Sequence, residues 1–314
     1  MKKAGFNLLH INYKAGYENK KSFNLFLIGL PAMLLLFLFQ YVPMFGIIIA
    51  FKDFKFNKGI FGSDWAGLSN FKFFFTSEKA FIVTRNAIGL NALFIVFGTV
   101  VAIAFALMLF ELGKKMVKIF QTILFFPFFI SWVVASFAFY ALLNYEYGAL
   151  NNIFEIFGLD PVNWYFESGY WPFLLVLIYL WKNVGYSSIL YYTGLMGIDS
   201  SYYESAKIDG ASKIQQIRYV TIPLLAPIII LLFILNVGRI FYSDFGLFYF
   251  VTRDSAALYN VTDVIDTYVY RALKSSTDIG MAAASGLYQS LVGFIMVLAS
   301  NWFISRVSKE NAMF

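Results

Sequence analysis

Cysteine is absent from the chain, and histidine occurs once, at His10. The first absence excludes disulfides, thiol chemistry and thiolate metal sites. The second excludes zinc or iron sites of the usual His-rich kind and a Ser-His-Asp triad. Charge is scarce too. Asp, Glu, Lys and Arg make up 13% of the 314 residues, against about 25% in a soluble domain. Nucleotide chemistry also lacks its signature. The one Gly-Lys pair, Gly113-Lys114, has neither the upstream glycine nor the following Ser or Thr of a phosphate-binding loop. No HExxH or GxSxG pattern occurs. Acids in the stretches 144–170 and 249–280 have no fixed spacing and read as solvated loop carboxylates.

What is present is apolar: 60% hydrophobic residues, 21% aromatic and a mean hydropathy of +0.69. The chain belongs in a membrane. Six stretches are near the roughly 20 residues that cross a bilayer: Leu25–Ala50, Ala87–Phe110, Ile119–Leu143, Trp171–Tyr192, Leu224–Phe248 and Met281–Ser305. The first follows a basic segment (Lys2, Lys3, Lys14, Lys20, Lys21). It is too long for a signal-peptide core, and no small-x-small cleavage site follows it, so it is read as a retained span. Lys114, Lys115 and Lys118, then Lys207, Lys213 and Arg218, then Arg306 and Lys309 fall on one side. With the acidic, Lys- and Arg-free connector 144–170 on the other, they predict both termini in the cytoplasm. The loop 51–86 dissents: Lys52, Lys55, Lys58, Lys72, Lys79 and Arg85 would lie outside. It is expected to fold as a small amphipathic cap.

The expected architecture is therefore an all-α, multi-pass membrane protein with six transmembrane helices, N-in and C-in. Residues 1–86 supply a tail, a first helix and an external loop. Residues 87–308 form a five-helix core, and 309–314 a tail. Tyr41, Trp65, Tyr145, Tyr147, Trp164, Tyr165, Tyr170 and Trp171 cluster near span ends and read as interfacial anchors. Small residues at Gly89, Gly98, Ala102, Ala104, Ala106 and 281–286 imply close helix packing.

One polar interruption, Asp199–Pro223, separates two apolar stretches. Ser201 precedes Glu204 by three residues, and Ser212 precedes Gln215 by three. Each spacing is that of a capping box. Gly210 lies between them, where a left-handed residue ends a helix. Pro223 stops the second helix or restarts the chain as the next. Two short helices joined at a glycine are expected. Helices this short are marginal alone, so they need a surface to pack on.

A second polar group lies in the fifth span: Asn236, Arg239, Tyr242 and Asp244. Charge at membrane depth faces a cavity or a partner. It forms either a polar wall of a substrate pathway or a buried lock to a neighbour or an unwound helix. Lys182-Asn183 in the fourth span is ambiguous in the same way, either part of a polar wall or a pair that simply snorkels near the cytoplasmic end. Trp132, Tyr140, Tyr242 and Tyr288 are among many rings able to stack on a sugar.

The interruption resembles the EAA motif of permease subunits of binding-protein-dependent ABC importers. The family pattern is Glu-Ala-Ala, three residues, Gly, nine residues, Ile-x-Leu-Pro. Here it reads Glu204-Ser205-Ala206, Gly210, Val220-Thr221-Ile222-Pro223, with Ser205, Val220 and Ile222 as mild departures. Asp209-Gly210-Ala211 matches the sugar-importing branch. Asp263–Arg271 and Gly286–Gly293 resemble LplB-like polysaccharide and oligosaccharide permeases, and the likeness covers most of residues 25–308. It implies the type I (MetI-like) permease fold in a prokaryotic cell membrane. Glu204, Ser205, Ala206, Asp209, Gly210, Ala211 and Pro223 would form coupling helices in a cleft of an ATPase. The chain itself would hold no cofactor. ATP and Mg would sit on two ATPase subunits, beside a homologous second permease and an extracytoplasmic solute-binding protein. An oligosaccharide or polysaccharide fragment would be the cargo, with Asn236, Arg239, Tyr242, Asp244 and Tyr288 along its pathway. A self-contained channel, a membrane-embedded enzyme or a non-sugar transporter are the alternatives.

Overall fold

A computed structural model describes residues 22–23, 25–276 and 278–307. The basic segment 1–21 and the tail 308–314 lie outside the described residues, so the termini on which the orientation rests do too. Among the described residues, five helices are long and apolar enough to cross a membrane. They are α1 (Leu25–Phe51), α2 (Glu78–Phe110), α6 (Trp171–Met196), α8 (Lys213–Val237) and α10 (Ile279–Val307). A bent pair, α3 (Lys114–Phe129) and α4 (Trp132–Leu143), meets at 97° and makes a sixth crossing if the two are one broken span. Shorter helices are α5 (Ala149–Ile156), α7 (Ser200–Ile208) and α9 (Ile265–Ser276).

Two expected spans are thus interrupted. The third, Ile119–Leu143, is not one helix: Ile130 and Ser131 take extended backbone between α3 and α4. The fifth, Leu224–Phe248, leaves helical geometry after Val237, and helix resumes only around Leu247–Val251. Hydropathy does not register either break, because the residues on both sides are equally apolar.

Pro223 does not stop its helix. A wide turn at Ile217–Thr221 precedes it, with the Ile222 amide reaching back five residues to the Ile217 carbonyl. The widened turn makes room for the proline ring, which would clash in a regular α-helix. The same device stands at Phe37–Tyr41, just ahead of Pro43 in α1.

The dissenting loop folds as a cap. Strands β1 (Lys52–Asp53) and β2 (Asp64–Trp65) pair antiparallel. The Lys52 ammonium is buried and donates to the carbonyls of Phe61 and Ser63 at 3.0 and 3.1 Å. Lys55 pairs with Asp53 and Lys58 with Asp64. Three of the dissenting charges are neutralised or enclosed locally, which weakens their say in orientation.

The largest core joins α2 and α6 to the loops at one end of the bundle. It contains Leu90, Phe94, Trp164, Trp171, Leu175, Leu247 and Val251. Trp164 and Trp171 are 6% and 0% exposed, so they are core residues and not interfacial anchors. Their indoles are satisfied inside: Trp171 Nε1 donates to the Trp164 carbonyl and Trp164 Nε1 to Asn151 Oδ1. Of the small residues, Ala102, Ala106 and Ala284 are buried as expected, whereas Ala104 is exposed. The tightest helix approach lies elsewhere. A Cβ at Gly185 in α6 would stand 1.8 Å from the Leu124 carbonyl oxygen of α3.

Candidate functional site: two helix breaks, a cavity and a coupling elbow

The two breaks are built to keep backbone polar groups paired at membrane depth, where water cannot satisfy them. At the first, Ser131 caps α4 by accepting from the Val134 amide at 3.3 Å. Lys182 is 7% exposed, near the middle of α6. It does not snorkel to an end. Its ammonium donates to the carbonyls of Pro127 (3.3 Å), Phe128 (3.1 Å) and Ile130 at the C-terminus of α3. A cation there also complements the helix dipole. The Trp132 ring lies 5.1 Å from that ammonium.

At the second break, residues 238–246, three helices contribute. Asn91 of α2 donates to the carbonyls of Ile240 (2.8 Å) and Tyr242 (3.3 Å) and to Ser243 Oγ (3.2 Å). Gln289 of α10 donates to the Phe241 carbonyl at 2.7 Å. Asp266 of α9 accepts from the Ser243 amide at 3.0 Å and from Gln289 at 3.3 Å. The two breaks meet directly: Trp132 Nε1 donates to Asp244 Oδ2 at 2.6 Å, while Asp244 Oδ1 accepts from the Gly246 amide.

Beside the second break, α2, α6 and α8 enclose a cavity of about 300 Å³. Its lining includes Thr99, Tyr179, Tyr186, Tyr191, Asn236 and Arg239. Such a volume is at the lower end of small-molecule sites. Arg239 sits on the irregular turn after α8, exposed, and makes no ion pair among the described residues. Of the five residues expected along a pathway, only Asn236 and Arg239 line this cavity. Asp244 is engaged by Trp132. The Tyr242 hydroxyl lies 2.6 Å from Ser290 Oγ. Tyr288 stacks on Phe74 and meets Phe241 edge-on in an apolar cluster. Sequence reading missed Asn91, Lys182 as a carbonyl clamp, Asp266 and Gln289. Polar residues inside apolar spans were the available signal.

At the other end of α8 the chain forms the two short helices expected around Gly210. Gly210 has φ +77°, the left-handed conformation that glycine adopts without steric cost. The Ala211 amide closes the turn onto the Ala206 carbonyl at 2.9 Å. The second capping box is present, Ser212 with Gln215. The first is not: α7 is capped by Asp199, which accepts from the Ser201 amide at 2.9 Å. An Asx cap two residues upstream puts Ser201 inside the helix and out of that role, and Glu204 is left exposed, with no partner among the described residues. The backbone hydrogen bond from Ser201 holds the Asp199 carboxyl below its usual range. Lys213 pairs with Glu111 at the end of α2. The elbow presents unpartnered apolar side chains, Ile208 at 86% and Ile214 at 77% exposure.

Residues 95–309 match the family model described as binding-protein-dependent transport system inner membrane component. The polygalacturonan/rhamnogalacturonan transport system permease protein YteP of Bacillus subtilis is 33% identical, over 91% of this chain and 89% of that protein. Protein LplB of the same organism is 29% identical, over 91% and 90%. Among solved structures, a bacterial ABC transporter involved in import of the acidic polysaccharide alginate superposes with a TM-score of 0.83 at 29% identity, covering 94% of this chain and 99% of that one. The bacterial alginate ABC transporter in complex with alginate pentasaccharide-bound periplasmic protein gives 0.83 at 30%, covering 93% and 98%.

Proposed function

The chain belongs to the family of binding-protein-dependent transport system inner membrane components, and from that membership we propose that it carries an oligosaccharide or polysaccharide fragment into the cytoplasm by alternating access. Hydrolysis of ATP, with Mg, occurs on two separate ATPase subunits that seat on the elbow. A homologous second permease completes the pathway, and an extracytoplasmic binding protein delivers the sugar. The carbohydrate class is supported by the relatives, whose names specify polygalacturonan, rhamnogalacturonan and alginate.

One observation carries the mechanism. A single helix, α8, joins the elbow to the cavity. Its first residue, Lys213, follows the Ser212 cap, and its C-terminal end brings Asn236 and Arg239 to the cavity wall. At 1.5 Å per residue the 25 residues span about 37 Å. A push on Ile208 and Ile214 is transmitted along a rigid rod to a turn whose carbonyls are held by Asn91 and Gln289. Ile208, Ile214 and the Glu204 carboxylate are unsatisfied among the described residues, as a docking surface for an ATPase cleft requires. Asn236, Arg239 and the tyrosine hydroxyls offer donors to sugar hydroxyls or carboxylates. The test is ATP-driven uptake by the full complex in proteoliposomes. Uptake of a labelled oligosaccharide that needs both ATP and the binding protein supports the reading. Flux that persists without ATP would make the chain a channel.

A further inference from the structure

The cap between α1 and α2 has no part in the lever, yet it is the most deliberately built loop of the chain. Both of its ends run directly into membrane spans. Lys52 follows the last residue of α1, and the short helix Lys72–Thr76 leads into α2 at Glu78. At 1.5 Å per residue the 27 residues of α1 span about 40 Å, close to a bilayer with its headgroups. The chain therefore enters the cap at headgroup level. It does so on the side away from the elbow, since the far end of α2 carries Glu111, the partner of Lys213.

The cap has two unlike faces. Across the β1–β2 pair, Lys52 stands opposite Trp65 and Asp53 opposite Asp64. Successive strand residues point to opposite faces, so the two acids share one face and Trp65 lies on the other. Lys55 and Lys58 neutralise the acids. On the Trp65 face the buried Lys52 ammonium lies 5.1 Å from the indole and donates to the Phe61 carbonyl. Phe61 and Trp65 thus meet around one enclosed cation. Both point outward: Phe61 is 89% exposed and Trp65 71%, and Leu68 beyond them is equally bare. Internal bonds fix this display. Asn70 donates to the carbonyls of Ala50 and Lys52 at 3.0 and 2.9 Å. Ser63 Oγ donates to the Gly59 carbonyl at 2.7 Å and accepts from the Lys55 amide at 3.0 Å.

The charge on the way out of the cap is positive. Lys72 and Lys79 are exposed and make no ion pair among the described residues. Glu78 beside them sits in the first turn of α2, where the helix dipole favours a carboxylate. Over residues 52–79 five lysines stand against three acids.

We propose that the cap is a lipid-binding surface. Phe61, Trp65 and Leu68 seat in the boundary between headgroups and acyl chains of the leaflet opposite the elbow, and Lys72 and Lys79 meet the phosphates of anionic lipids there. An indole at this depth keeps its ring in an apolar layer and its N–H in a wet one, and lysines beside a cationic cap are drawn to anionic headgroups. The neighbouring surface favours lipid over the binding protein as the occupant: Tyr41 and Phe45, in the last turns of α1 before the cap, are exposed too, so the apolar surface of the cap continues that of a membrane span. The proposal rests on the membrane reading alone and is independent of the cargo.

The experiment places a nitroxide on the cap of the complete complex in nanodiscs of mixed phosphatidylcholine and phosphatidylglycerol, with no binding protein present. The chain has no cysteine, so Phe61→Cys, Leu68→Cys and Lys58→Cys each supply its single thiol, assembled with cysteine-free partner subunits. Electron paramagnetic resonance then compares access of oxygen, which concentrates in the acyl layer, with access of a water-soluble nickel chelate. Labels at Phe61 and Leu68 are expected to favour oxygen, with nickel access several-fold below that at Lys58 on the ion-paired face. Nanodiscs of phosphatidylcholine alone are expected to raise nickel access at Phe61, and Lys72→Gln with Lys79→Gln is expected to do the same in the mixed lipid. Nickel access at Phe61 and Leu68 equal to that at Lys58 overturns the proposal. Shielding that appears only when the binding protein is added makes the patch a protein contact and overturns it as well. Nickel access at Phe61 that changes with neither lipid charge nor the two lysines overturns the assignment of the lysines to phosphate.

Discussion

At the scale of single residues, Lys182 is the side chain with the most dependents. Replacing it by Ala would leave the Phe128 and Ile130 carbonyls without that donor, while the Pro127 carbonyl keeps the Ile130 amide. With about 1–3 kcal/mol for each buried group left unpaired, the loss is on the order of 2 kcal/mol or more. Thermal unfolding of the detergent-solubilised protein should show a clearly lower midpoint for Lys182→Ala and a smaller drop for Lys182→Arg. Equal midpoints for all three would mean that water replaces the ammonium. Gly185→Ala belongs to the same region and should also destabilise, since its Cβ has no room against the Leu124 carbonyl. Arg239 differs in kind, because among the described residues its side chain makes no ion pair. Arg239→Ala should lower uptake of an acidic oligosaccharide by about 10-fold while the complex still assembles. Loss of assembly would show instead that this charge holds a neighbouring chain. In sequence, Lys182 and Asn91 were visible only as polar residues in apolar runs. Whether such a residue faces a cavity or clamps a carbonyl depends on chain crossings that periodicity does not encode.

At the scale of elements, the elbow was the most legible feature. Its turn is local, and glycine, caps and spacing all act within a few residues. Even so, Asp199 and Ser201 competed for one helix start, and the nearer acceptor won. The cap has a pH consequence. The Asp199 carboxyl is held low by the Ser201 amide, so the charged form is the one favoured in the folded chain. Its contribution is fully present above the ordinary carboxylate pKa, about 3.9, and fades as pH falls through the lowered value. Hydrogen exchange at residues 200–203 should accelerate on acidification into that range. Asp199→Asn, which keeps an acceptor, should remove the pH dependence. The helix breaks were the least legible elements. Pro127 and Ser131 in the third span and Gly238 in the fifth were available hints, yet an apolar window averages over them. The partners that make each break tolerable come from helices distant in sequence: Lys182 is 52 residues beyond Ile130 and Asn91 lies 149 before Ile240.

At the scale of the whole molecule, composition was enough for the membrane class and for which stretches are apolar enough to cross, because a bilayer imposes length and apolarity on every crossing; the bounds were less legible, since α2 begins at Glu78 and not Ala87, and α8 runs Lys213–Val237 and not Leu224–Phe248. The family membership rests on a pattern of similar breadth, most of the chain. The remaining large exposed apolar faces, such as Val100 and Met108 on α2 and Phe294 and Ile295 on α10, are suited to lipid or to a second permease. On the function proposed above, the molecule would work as a lever: elbow, α8, broken turn, cavity. Because the chain has no cysteine, Ile208→Cys would be its only thiol. Cross-linking it to a thiol placed in the ATPase cleft should succeed, and should arrest uptake, if that cleft receives the elbow.

The lever is tested most directly by measuring ATP hydrolysis and oligosaccharide uptake together, in proteoliposomes holding the complete complex with its binding protein, for wild type, Glu204→Ala and Gly210→Val. A β-branched residue at φ +77° is strained by about 1–2 kcal/mol or more, enough to distort the elbow without unfolding the helices. Wild type should couple the two activities. Gly210→Val should lose at least ~10-fold of both binding-protein-stimulated hydrolysis and uptake, and Glu204→Ala a smaller share. Hydrolysis and uptake at wild-type levels in both variants would contradict the assignment of the elbow as the place where the ATPase drives the membrane bundle.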